Sequence, residues 1–146
     1  MDSSEETAIV KAFVVKEKRE RLTGFLANPK RRKEATSSLA HFNDFDPKWI
    51  AKLAPDQDKP EMLARTLMKR GAGTSCYVIS ENKELDGRRL DLLEALRIVI
   101  GNGMGTIVSC VPGVLGFFEG EGPSDRYLLV RPPDQSKQPG SSSIAR

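Results

Sequence analysis

The chain of 146 residues is poor in the residues that usually announce chemistry: it has two cysteines, one histidine and one tryptophan. Cys76 and Cys110 cannot make a disulfide framework, and their spacing matches no zinc or thiol-redox pattern, which favours a reducing compartment. His41 is followed by Asp44 and Asp46, one nitrogen and two oxygens that are too few to complete a cation site. Asp44 and Asp46 also stand where helix caps belong, so structural roles are expected, with no metal and no cofactor. No apolar run is long enough to span a bilayer. The first residues lack a basic segment followed by an apolar one, and the run from Ala8 to Val15 is broken by Lys11, so the cytoplasm is the expected location.

Charge of one sign does not dominate. The net charge is +3, too small to demand a polyanionic partner, and 38% hydrophobic with 29% charged residues is the composition of a globular chain. The distribution is more informative. Between Lys16 and Glu34 stand Lys16, Lys18, Arg19, Arg21, Lys30, Arg31, Arg32 and Lys33 against only Glu17, Glu20 and Glu34. The remainder is therefore slightly acidic.

Residues 1–6 are polar, and residues 132–146 are rich in proline, glycine and serine with almost nothing to bury. Both ends are expected to be disordered, with one domain over residues 7–131. At its start, Ile9, Val10, Phe13, Val14 and Val15 suit a strand, while Ser3-Ser4-Glu5-Glu6 offers a helix cap; the strand is the reading taken, with the helix as its alternative. Charged helices follow over 16–27, with Leu22, Phe25 and Leu26 inward, and over 30–42, separated by Asn28-Pro29. Asp46-Pro47 opens a short helical turn carrying Trp49, Ile50 and Leu53. Asp58, Pro60 and Glu61 read as a capping box for a helix carrying Leu63, Leu67 and Met68.

The stretch 75–113 is the clearest. Ser75 to Ser80 reads as a strand and Asp86-Gly87 as a turn; Asp91 caps a helix over 91–100 with Leu92, Leu96 and Val99 at helical spacing, and Gly101 ends it. Thr106–Val111 is a second strand, Pro112-Gly113 a reversal wider than a two-residue hairpin, and Val114–Glu119 and Arg126–Arg131 complete a meander. The fold class is α+β: a helical N-terminal half packed on a small mixed β-sheet containing one βαβ unit and a C-terminal antiparallel meander.

The motifs Cys76-Tyr77-Val78-Ile79-Ser80, Leu85-Asp86-Gly87-Arg88, Gly103-Met104-Gly105-Thr106 and Ser109-Cys110-Val111-Pro112-Gly113, ending in Phe118-Glu119-Gly120-Glu121, resemble a group of short bacterial proteins to which no activity is attached. The resemblance also takes in Pro29-Lys30-Arg31-Arg32 and His41-Phe42. It implies a bacterial, cytoplasmic, single-domain protein and brings no catalytic residue.

Gly101-Asn102-Gly103-Met104-Gly105 is no phosphate loop, because it follows a helix and would present the negative end of the dipole. Cys110 with His41, or Glu119 with Glu121, lack any diagnostic surroundings; the cysteine is expected to be inert core and the glutamates to face solvent. Two surfaces remain. Lys18, Arg19, Arg21, Lys30, Arg31, Arg32 and Lys33 form a candidate face for an acidic macromolecule, nucleic acid or protein, near Phe25, His41, Phe42 and Trp49. Alternatively, Arg88, Arg89, Ser109 and Cys110 line an anion pocket at the strand carboxyl ends of a small-ligand protein or enzyme. The first implies a non-enzymatic binding or regulatory protein, and neither implies a membrane partner.

Overall fold

The structure, a computed structural model, describes residues 1–54 and 57–132. Expectations for the tail from residue 133 onward lie outside the described residues.

Helix α1 (Ser3–Phe13) replaces the strand expected for residues 8–15, and it takes in most of the polar segment 1–6. The Asp2 carboxylate caps it by accepting from the Glu5 N–H at 3.0 Å. Ile9, Val10 and Phe13 then share one stripe, and their near-complete burial outweighs the modest helix penalty of the β-branched pair. Val14 leaves the helix and bridges to Phe45. Helix α2 (Lys16–Ala27) follows as expected. The expected helix over 30–42 is only α3 (Arg32–Ser37) and a 3₁₀ turn, Leu39–His41. The Asn28 carbonyl accepts from the Arg31 and Arg32 amides, and the Ser38 hydroxyl donates to the Ala35 carbonyl, so the polar side chains and turn consume both ends.

Asp46 caps the 3₁₀ turn Pro47–Trp49, but Ile50 does not continue it: Ile50–Lys52 is strand β1. In α4 (Pro60–Lys69) Lys59, not Asp58, is the N-cap, with no side-chain capping bond, so the capping box does not form. Strands β2 (Ser75–Ser80), β3 (Arg88–Asp91), β4 (Thr106–Val111), β5 (Leu115–Glu119) and β6 (Arg126–Val130) complete the sheet, with α5 (Leu92–Val99) between β3 and β4. The Asp91 carboxylate caps α5 by accepting from the Glu94 N–H, and Gly101 takes φ 84° just beyond it, as the sequence leads one to expect.

The fold is α+β, with a six-stranded sheet in the order β1-β6-β5-β4-β2-β3. Every strand pairing among the described residues is antiparallel, so the sheet they form is not mixed. The βαβ expectation linked β2 to β4, but the short β3 intervenes and turns the chain round. The crossover through α5 therefore joins β3 to β4, which run parallel with β2 between them. At Pro112-Gly113, Val111 pairs with Leu115 across a three-residue connection, and the register shifts between Ser109 and Val111.

Alternation along the strands sends Tyr77, Ile79, Ile107, Phe118 and Leu129 toward α1–α3, and Cys76, Val78, Val108, Phe117 and Leu128 toward α4 and α5. At Gly105 the start of β4 lies directly against Leu39 and Ala40. A Cβ there would stand 2.2 Å from the Ala40 nitrogen, so only glycine lets the 3₁₀ turn seat against the start of β4.

Leu96 is fully buried at the centre of the α5 face, whereas its neighbour Arg97 pairs with Glu61 on the surface. Leu96→Ala is expected to cost about 2–5 kcal/mol in urea unfolding through the cavity it leaves. Arg97→Ala should cost no more than about 1 kcal/mol, because the exposed pair is solvent-screened.

Candidate binding site

The charges closest to the core organise everything around them. Glu5 and Glu6 of α1 are almost fully buried against the sheet. Arg32, at the start of α3, donates to Glu6 from both terminal nitrogens, at 2.9 and 2.6 Å. It also donates to both Asp86 oxygens, at 2.7 and 3.0 Å, and to the Leu26 carbonyl. Burial opposes the charge of Arg32, but its bonds to Asp86 and Glu6 outweigh it and hold its pKa above the ordinary guanidinium value. The Tyr77 hydroxyl donates to Glu6 at 2.6 Å and accepts from the Asp2 N–H. Glu5 receives the Ser109 hydroxyl at 2.9 Å and the Arg89 guanidinium at 2.8 Å. No buried side-chain polar atom among the described residues is left without a partner.

This network decides the fate of the strand-end pocket. Because β2 and β4 are antiparallel, their carboxyl ends lie at opposite ends of the sheet and cannot line one pocket. Arg89 and Ser109 do come together, but over Glu5, which takes both. Arg88 is exposed and donates to the Glu84 carbonyl. Cys110 packs on the other face of the sheet with α4 and α5, and burial pushes its thiol up to about 12. It is far from the chemistry of a thiolate. Glu119, expected in solvent, is 1% exposed: it accepts from Arg126 at 2.8 Å and from the Gly101 N–H at 3.0 Å.

The basic run is split. Arg32 faces inward and cannot serve a partner; Arg19 donates to the Val14 carbonyl. Lys18, Arg21, Lys30, Arg31 and Lys33 remain exposed. Arg31 pairs with Glu34 at 2.6 Å and lies 4.3 Å from the Phe25 ring centroid, with Arg21 at 5.0 Å from the same ring. Between α2, α3 and the segment 38–44 is a cleft of about 550 Å³. Lys18, Arg21, Leu22, Phe25, His41 and Phe42 line it, joined by Glu34 and Asp44. A second hollow of about 430 Å³ lies beyond His41, Phe42 and Asn43, floored by Phe45, Phe118 and Tyr127.

Phe25, His41 and Phe42 therefore accompany the basic residues as the sequence leads one to expect, but Trp49 does not: it meets Arg131 and Lys48 elsewhere. His41 pairs with Glu121 at 3.2 Å, while Asp46 caps its own turn. The buried network escaped sequence reading because Glu5, Glu6 and Arg32 look like surface charges; the only signal was their position at the start of two helices. No protein-family model, curated protein or solved structure matches this chain. Among the described residues, no helix is long and apolar enough to cross a membrane.

Arg32→Ala is expected to cost about 3–5 kcal/mol in chemical unfolding, since it strands two carboxylates in a buried setting. Alkali supplies a second test. Burial, then the bond to Glu6, raises the Tyr77 pKa from 10.0 to about 12, and burial raises the Cys76 and Cys110 thiols from 9.0 to about 12. A raised folded-state pKa means stability that is complete below the unfolded value and is lost as pH climbs toward the folded one. The urea midpoint should thus fall between pH 9 and 12, and less steeply above pH 10 in Tyr77→Phe. A flat midpoint over that range would contradict the assigned environments.

Proposed function

We propose that this chain is a non-enzymatic binding or regulatory protein that takes an acidic partner, nucleic acid or protein, on the face formed by α2 and α3. One observation carries the reading: the largest concavity named above opens on the basic helices, with exposed Lys18 and Arg21 at its edge. Its volume is within the range of recognition pockets, and exposed cations flanking a concave surface raise the local concentration of anions. The cations that would have served a strand-end pocket are engaged by the protein's own groups, Arg89 by Glu5 and Arg88 by the Glu84 carbonyl. A cytoplasmic, bacterial setting accords with the sequence resemblance and with two free thiols.

Lys18→Glu, Arg21→Glu and Lys33→Glu together test the reading without touching Arg32, whose loss would test folding instead. Anisotropy titrations at low salt would use labelled polyglutamate and a labelled single-stranded oligothymidylate. At least one probe should bind, weaken as salt rises, and bind the triple variant about tenfold or more weakly, a loss of at least about 1.4 kcal/mol. The variant should unfold within about 0.5 kcal/mol per site of the parent, as surface substitutions do. Failure of both probes to bind the parent, or equal binding by the variant, would reduce the basic run to a solvated face.

A further inference from the structure

We infer that the occupant of the α2–α3 cleft is a segment of another protein that carries carboxylates beside at least one apolar side chain, and not a nucleic acid. The inference rests on the basic-face reading above and narrows it. Three features of the cleft separate the two kinds of partner.

The first is the pattern of charge. Exposed Glu17 and Glu20 interrupt the cations of α2, and Glu34 and Asp44 line the cleft itself. A nucleic-acid strand carries a phosphate at every nucleotide, so it would set some of them against these carboxylates. A peptide can place its acids opposite Lys18 and Arg21 and nothing charged opposite Glu34 and Asp44.

The second is the state of the aromatic rings. Single strands are held on rings whose faces are free to stack with bases. Phe25 has Arg21 and Arg31 over its ring, and Arg31 also bonds Glu34. Phe42 packs against Phe45 in a T-shaped pair with ring centroids 4.7 Å apart. The Phe25 ring is thus already taken by guanidinium groups rather than open to a base, and with Phe42 it forms an apolar floor in which an aliphatic or aromatic side chain can be buried.

The third is the floor's continuity. Leu22, Phe25 and Phe42 are partly buried on the core between the sheet and α1–α3, and the second hollow shares Phe42 and is floored by more aromatic rings. The two hollows share His41, Phe42 and Asn43, so an extended segment passing Phe42 meets apolar side chains in both. The binding contribution of burying each such side chain is proportional to the apolar area removed from water, which a polyanion lacking apolar side chains cannot supply.

Selection of random dodecapeptides displayed on phage against the full-length chain tests this, with the enriched sequence then synthesised and titrated by anisotropy. Enrichment of peptides with acidic residues flanking Leu, Phe, Trp or Met is expected. The synthetic peptide should bind Lys18→Glu/Arg21→Glu about tenfold more weakly than the parent, and replacing its apolar residue by serine should also weaken it about tenfold. The parent and variant must give the same near-ultraviolet dichroism and melting temperature, which separates lost binding from lost folding. Failure to enrich any sequence, enrichment without acidic bias, or equal binding by the charge-reversed variant would overturn the inference. So would oligothymidylate or polyglutamate binding as tightly as the selected peptide; that result would leave the acidic-partner reading standing, whereas loss of every acidic probe would remove both.

Discussion

The contact between Arg32 and Glu6 is the constraint on which the N-terminal half depends. Placing a guanidinium and a carboxylate out of water is costly, and geometry must offset that cost. Here Glu6 receives two guanidinium hydrogen bonds, Asp86 receives two more, and the Leu26 carbonyl takes another. One side chain thereby joins α1, the end of α2, the start of α3 and the turn between β2 and β3. The driving force for seating α1 is the burial of Ile9, Val10 and Phe13, but apolar contacts tolerate sliding and rotation that directional bonds to Glu6 do not. Tyr77 and Ser109 extend the same restriction to two central strands.

That inward use of Arg32 also determines what the surface can do. A stretch that reads as one uninterrupted cluster, Lys30 to Lys33, sends its third member to the core and leaves the others outside. Arg31 in turn bonds Glu34 and lies over Phe25. The outcome is a surface of mixed sign around an apolar floor, an arrangement that would suit the proposed peptide partner better than a uniform polyanion.

How much of this was legible follows from segment length and from what each residue type can hide. Helix α5 was legible in full: Asp91, the spacing of Leu92, Leu96 and Val99, and Gly101 all agree. Strands β4, β5 and β6 were legible because each is at least five residues long and apolar on its buried face. The edge strands β1 and β3 were not, since three or four residues, mostly exposed, give no periodicity to detect. Missing β3 turned an antiparallel neighbour into a parallel one, and the strand-end pocket was built on that error. Helix α1 was misjudged because β-branched residues are weak evidence when a whole helix face is buried. The cleft was half legible: its cations and aromatics could be grouped, but the acids within it could not be placed.

The segment between α3 and β1 makes the cleft a fixed feature although its only regular structure is two 3₁₀ turns. The Asp44 carbonyl accepts from the Val15 N–H at 2.8 Å, and the Asp46 N–H donates to the Phe13 carbonyl at 2.8 Å, so its far end is tied to the α1–α2 junction. Its near end is tied to the sheet: Gly105 admits Leu39 and Ala40, and the Ala40 carbonyl accepts from the Glu121 N–H at 3.0 Å. Phe42, held between these anchors, packs on Phe45, which in turn packs on Phe118 at 5.0 Å. A wall restrained at both ends and along its floor loses little freedom when a ligand arrives, so more of the contact energy is retained as affinity. The same bonds that compensate for the early end of the α-helix at Ser37 would therefore also prepare that stretch for the proposed partner.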